Sequence, residues 1–148
     1  MKYISRNLET VVSQLTKEYP VVLLTGPRQV GKTTMLKKLM ENTNRGYVSL
    51  DDLNARNLAK SDPELFLQLH KPPILIDEVQ YAPELFTYIK MHVDKNQNPG
   101  DFWLTGSQVF KLMRGVQESL AGRVAVLSMT TLSQAEISNR DMTPFVVD

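Results

Sequence analysis

The sequence predicts an α/β fold in three layers, with one five-stranded parallel sheet between helices. Three observations predict it. Continuous apolar runs alternate with stretches of helical periodicity along the whole chain. The runs are apolar at successive positions, as in strands buried on both faces of a parallel sheet. A turn bounded by two glycines separates the first run from the helix behind it. Parallel strands need helical crossovers, which lie on both faces of the sheet.

The elements follow in order. Leu8, Val11, Val12 and Leu15 recur at helical spacing and predict a helix over 6–18, ended by Pro20. "VVLLT" (21–25) is the first strand. Residues 32–41 read as a helix with Leu36, Leu39 and Met40 inward, and "GYVSL" (46–50) is the second strand. Asp51 and Asp52 can cap the helix that follows. "SDPELFLQLH" (61–70) and "YAPELFTYIK" (81–90) both read as helix starts, with proline in the first turn and glutamate complementing the dipole. "PPILIDE" (72–78), "DFWLTGS" (101–107) and "RVAVLSM" (123–129) are strands three to five. Between the last two, Val109, Leu112, Met113, Val116 and Leu120 keep helical spacing, and Gly115 is expected to divide that helix. Ser133 and Glu136 form a capping box that opens one more helix. Residues 1–131 thus read as the core domain, and 132–148 as the start of a truncated C-terminal region.

Composition narrows the function classes. A chain of 148 residues suits one domain. A net charge of +1 advertises neither nucleic acid nor an anionic membrane. Without cysteine there are no disulfides or thiolate metal sites. His70 and His92 lack metal-ligand spacing and read as surface or packing residues, and Trp103 reads as core. No apolar leader or 18-residue apolar run occurs, so a cytoplasmic protein without a membrane partner is expected.

Gly26-Pro27-Arg28-Gln29-Val30-Gly31-Lys32-Thr33 fits G-x-x-x-x-G-K-[ST], and it lies between a predicted strand and a predicted helix. Such a loop turns its amides toward a polyphosphate, while the helix opening at Lys32 points its positive end at the same anion. Gly26 and Gly31 allow dihedrals that a Cβ would forbid. Lys32 is expected on the β- and γ-phosphates and the Thr33 hydroxyl on Mg²⁺, with Thr34 completing the cradle. Arg28 could touch phosphate or solvent.

Asp77 ends the third strand where the phosphate loop should lie and is the expected second anchor for Mg²⁺. Glu78, next to it, suits a general base that orients water. A small-molecule kinase has no use for such a water, and the Asn-Lys-x-Asp guanine reader of GTPases is absent. An ATP hydrolase fits best. The alternatives are a nucleotide-dependent interaction module with little turnover, with nucleic-acid contact left open, and a phosphotransferase. Thr105 and Ser107 end the fourth strand, and either could sense the γ-phosphate. Arg123, or less favourably Arg114, could act as an arginine finger on a neighbouring subunit, which would imply a homo-oligomer.

"GPRQVGKTT", "YVSLDD", "DPELF", "ILIDEVQYAPELF", "FWLTGS", "ESLAGRV" and "LSQAEI" occur in this order. As a set they resemble the AAA-like bacterial and archaeal ATPases in which a P-loop ATPase domain precedes a DUF4143 domain. The resemblance implies an ASCE-type core with strand order 5-1-4-3-2 and ATP/ADP as ligand. It implies Lys32 and Thr33 as Walker A residues, and Asp77 and Glu78 as Walker B. It also implies Ser107 or Thr105 as sensor 1, and Arg123 as the candidate finger. Gln80 matches the family's recurring Asp-Glu-x-Gln, with no role attached. Family members continue into a helical or winged-helix region and a nuclease-like DUF4143 domain, which the resemblance implies is missing here together with any lid over adenine.

Overall fold

The computed structural model describes residues 2–27, 31–107, 109–129 and 145–146. Helix α1 (Lys2–Leu15) leads into β1 (Val21–Thr25) and α2 (Lys32–Leu39). Next come β2 (Gly46–Ser49), α3 (Leu53–Ser61) and α4 (Pro63–Leu69). Strand β3 (Ile74–Asp77) passes through a single 3₁₀ turn, Val79–Tyr81, into α5 (Glu84–Asn96). Then follow β4 (Phe102–Gly106), α6 (Val109–Ser119), β5 (Val124–Ser128) and β6 (Phe145–Val146).

The sheet order is β2-β3-β4-β1-β5-β6. The first five strands are parallel, as expected from the sequence, in the order the resemblance implies. Strand β6 has no counterpart among the five expected strands and pairs antiparallel with β5 on the sheet edge. Two residues carry no periodicity to read. The helix expected over 132–137 lies outside the described residues.

Two apolar layers clasp the sheet. Val21, Leu23, Ile74, Ile76, Phe102 and Leu104 face one side, against Phe66, Phe86, Ile89, Leu112 and Val116. Val22, Leu24, Leu75 and Trp103 face the other, against Leu8, Val12, Leu15, Met35 and Leu36. Side chains alternate between faces along each strand, so unbroken apolar runs are what a sheet covered on both sides requires. Pro63 occupies the first position of α4, and Asp52 and Asp62 cap α3 and α4 through their side chains. His70 packs on Phe66, and His92 meets the Phe102 ring edge-on and Asp101 at 3.3 Å, so both serve packing.

The break expected at Gly115 does not occur, since α6 runs through it. A Cβ at Gly115 would lie 2.9 Å from Cε2 of the buried Phe86 ring. The glycine serves close helix packing on α5, and neighbouring contacts outweigh its intrinsic helix penalty.

Candidate functional site

Because the strands are parallel, their C-terminal ends share one edge of the sheet. That edge carries the glycine loop after β1, Asp77 and Glu78 after β3, and Thr105 to Ser107 on the intervening β4. Adjacent parallel strands leave a crevice at such ends.

The loop begins at Gly26, whose φ of 149° and N–H bond to the Gly106 carbonyl (3.2 Å) set it against β4. A Cβ there would lie 2.1 Å from the Met129 carbonyl oxygen, so only glycine fits. Gly31 caps α2 with φ 82° and supplies no side-chain partner to the first-turn amides. Lys32 is buried, and its Nζ donates to the carbonyls of Gly26 (2.7 Å) and Pro27 (2.9 Å). The ammonium is therefore held at the start of the loop. Thr34 lies in the first turn of α2, while Arg28, Gln29 and Val30 lie outside the described residues.

Asp77 is the hub. Its Oδ1 accepts from Thr33 Oγ1 at 2.6 Å, which ties α2 to β3, and also from the Thr105 hydroxyl. Its Oδ2 accepts from Ser49 Oγ (3.1 Å) and Tyr47 OH (3.4 Å). Ser49 stands in register with Asp77, and Tyr47 is two residues earlier on the same face of β2. Burial first, then the Asp77 carboxylate, push the Tyr47 phenol above its usual range.

Glu78 is buried and left-handed, with φ 57° and ψ 50°. Its N–H donates to Thr105 Oγ1 at 3.0 Å. Its Oε1 accepts from Ser107 Oγ (2.5 Å) and Gln80 Nε2 (2.8 Å). Carboxylate oxygens of Asp51, Asp77 and Glu78 lie within 4.8 Å of one another. Asp52 supplies the helix cap that the sequence offered to either aspartate, and Asp51 turns up beside Asp77.

The structure thus brings Gly26, Gly31, Lys32, Thr33, Asp77, Glu78, Thr105 and Ser107 to one edge. It separates Thr105 from Ser107. Thr105 is fully buried behind Asp77 and Glu78, whereas Ser107 is only half-buried at the rim. Arg123 precedes β5 and so lies at the opposite strand edge from its own loop, bound through Nε and Nη2 to Asp94 at 2.6 and 3.1 Å. Arg114 is exposed on α6 beside Glu118. Tyr47, Ser49, Asp51 and Gln80 join the site without any motif in the sequence that assigns them a role in it. Hydroxyls at 47 and 49 share a face by strand alternation, but only the β2–β3 register points them at Asp77.

A family model described as an AAA domain matches residues 18–138. The chain belongs to this AAA domain family. Uncharacterised proteins of Mycobacterium tuberculosis and Mycobacterium bovis are each 36% identical to this chain over 121 residues. These stretches cover 81% of this chain and 27% of each relative, so the chain spans about a quarter of their length. The Walker-type ATPase PABY2304 of Pyrococcus abyssi aligns with TM-score 0.55 and 20% identity, over 87% of this chain and 52% of that one. The RuvB Holliday junction branch migration motor of Thermotoga maritima gives TM-score 0.54 and 20% identity, over 87% and 45%. The P-loop NTPase domain of an Escherichia coli sigma-54 transport activator gives 0.52 and 14%, over 86% and 93%. These structures share the three-layer fold, and the AAA domain is a P-loop nucleotide-binding module of the ATPase type. Among the described residues no helix is long and apolar enough to cross a membrane.

Proposed function

We propose that this AAA domain binds ATP with Mg²⁺, hydrolyses it, and uses the cycle to move or gate an attached domain. The observation that carries this reading is the 2.6 Å hydrogen bond from Thr33 to Asp77, which joins the helix behind the glycine loop to the acidic end of β3. The donor set suits Mg²⁺, being all oxygen, from the Thr33 hydroxyl and the Asp77 carboxylate with Asp51 and Glu78 close by. Thr33 and Asp77 would hold the ion, which would neutralise charge on the β- and γ-phosphate oxygens.

The chain's own residues do the rest. The first-turn amides of α2 and the loop amides receive the phosphate oxygens. Lys32 exchanges its loop carbonyls for the β- and γ-phosphates. Glu78 takes a proton from a water whose oxygen bonds to the γ-phosphorus as the bond to the ADP oxygen breaks. Ser107, half-buried beside Glu78, is the better sensor of the γ-phosphate, because Thr105 is fully buried behind the two carboxylates while Ser107 keeps an exposed side. Arg123 supports a finger role only toward a second copy, and it must first leave Asp94. A γ-phosphate that orders one state and releases another is how such a cycle moves an attached domain, here one of the kind that DUF4143 represents.

The test is phosphate release beside nucleotide affinity. Glu78→Gln should lower release at least ~100-fold and leave ATP affinity within about threefold, as general-base loss requires. Lys32→Ala should weaken ATP binding itself. Glu78→Gln with full release would overturn the base assignment, and Lys32→Ala with unchanged affinity would overturn the site.

A further inference from the structure

We infer that Gln80 is the positioning residue for the Glu78 base, holding its carboxylate in register with Ser107. The inference rests on the reading of Glu78 given above.

Gln80 is 3% exposed and sits in the 3₁₀ turn directly after Glu78. Its carboxamide nitrogen donates to Glu78 Oε1 at 2.8 Å and to Ser107 Oγ at 3.3 Å. Its Oε1 faces the Ser107 N–H at 3.4 Å. Ser107 Oγ closes the ring by donating to the same Glu78 oxygen at 2.5 Å. The ring is oriented as well as closed. Ser107 N–H is a donor only, so it selects the oxygen end of the carboxamide and turns the nitrogen toward Glu78.

The backbone explains why the ring forms. Glu78 is left-handed, and the turn is held by Tyr81 N–H to the Glu78 carbonyl (3.2 Å) and Ala82 N–H to the Val79 carbonyl (3.1 Å). That turn lets side chains two residues apart meet, with the fully buried Val79 anchoring the other side. Gly106 makes room, because a Cβ there would stand 3.1 Å from Gln80 Oε1.

A glutamate has three side-chain rotors, and an unanchored carboxylate spreads over several rotamers. A general base works only from hydrogen-bond reach of the proton it takes, and small misplacement in such geometry costs large factors in rate. Gln80 removes that freedom without touching the phosphate. It also links the base to the residue that faces the γ-phosphate.

The experiment is single-turnover phosphate release from Mg·ATP, with ATP affinity measured in parallel. The variants are Gln80→Leu, Gln80→Met, Glu78→Gln and Glu78→Gln combined with Gln80→Leu. Leucine and methionine both fill the volume and remove the donor, so a folding defect in one leaves the other. The expected result is a fall of about 10- to 100-fold in the rate at saturating ATP, with affinity within about threefold. In the Glu78→Gln background, Gln80→Leu should cost nothing further. A rate within about twofold of the parent in both single variants overturns the inference, and so does an equal drop in the Glu78→Gln background. Loss of ATP affinity in both shows a structural role and overturns it too. If Glu78→Gln itself keeps full release, the base reading fails instead, which separates the two failures.

Discussion

Thr105→Val tests the wiring beneath the site without any nucleotide. Valine has nearly the shape of threonine, and Thr105 is 0% exposed, so packing should survive. Two hydrogen bonds do not. The Asp77 carboxylate loses one of its four hydroxyl donors, Thr33, Thr105, Ser49 and Tyr47. A bond to a charged group contributes about 1.5–3 kcal/mol. The Glu78 N–H loses its 3.0 Å acceptor, and an orphaned buried donor costs about 1–3 kcal/mol. Exchanging the hydroxyl for a methyl returns about 1 kcal/mol of apolar burial. The net loss is about 1.5–5 kcal/mol, a large part of the roughly 5–15 kcal/mol typical of a domain. With a urea slope of about 2 kcal/mol/M, the midpoint should fall by about 0.75–2.5 M. The single tryptophan, Trp103, is buried at 5% exposure and reports unfolding by its fluorescence. Thr105→Ser keeps the hydroxyl and should lose only about 1 kcal/mol for its methyl group. A midpoint shift under about 0.5 M in Thr105→Val would refute the reasoning and return Thr105 to the phosphate-facing side.

Two further outcomes can be checked on the same footing. Gly115→Ala gains about 1 kcal/mol of helix propensity but drives its Cβ to 2.9 Å from the Phe86 ring. Overpacking costs about 1–3 kcal/mol, so the variant should unfold at lower urea than the parent, and a stabilised variant contradicts the packing account. Hydrogen bonding to the Arg123 guanidinium holds the exposed Asp94 carboxyl below its ordinary 3.8. Its folded value is the lower one, so its stabilisation is present above pH 3.8 and fades as pH falls through that folded value. NMR titration should find Asp94 low in the parent and ordinary in Arg123→Ala, and an unchanged value would show that the pair is not held in solution.

The sheet was legible because its physics is repetitive. Strands buried on both faces leave unbroken apolar runs, and β1, β3, β4 and β5 came out within two residues of their expected ends. Gly26, Gly31, Lys32 and Thr33 were legible because their spacing in the chain is itself the signal, and Asp77 and Glu78 because they close an apolar run. Gly115 misled because propensity is local while Phe86 is distant in sequence. Ser49 and Tyr47 were hidden for a similar reason, since their meaning depends on which strand lies beside β2. Thr105 and Ser107 could not be separated by reading, because both end the same strand. Their difference is burial, which the packing of β4 between β1 and β3 decides.

The two neighbouring carboxylates also depend on a feature no residue pattern displays. Along an extended strand, consecutive side chains point to opposite faces. Asp77 and Glu78 would then lie on different sides of the sheet, and one site could not use both. The left-handed conformation at Glu78 breaks the alternation and sets both carboxylates within 4.8 Å. A non-glycine residue there carries strain of about 1–2 kcal/mol. Asparagine or glycine would relieve it, but neither carries a carboxylate. The Thr105 bond to the Glu78 N–H and the Ser107 and Gln80 bonds to its side chain offset that strain. The same hydroxyl of Thr105 reaches Asp77. One buried threonine thus sets the spacing of two acids whose partners differ, with four hydroxyls donating to Asp77 among the described residues and an amide and a serine donating to Glu78. Different partners are what allow adjacent carboxyl groups to take different tasks.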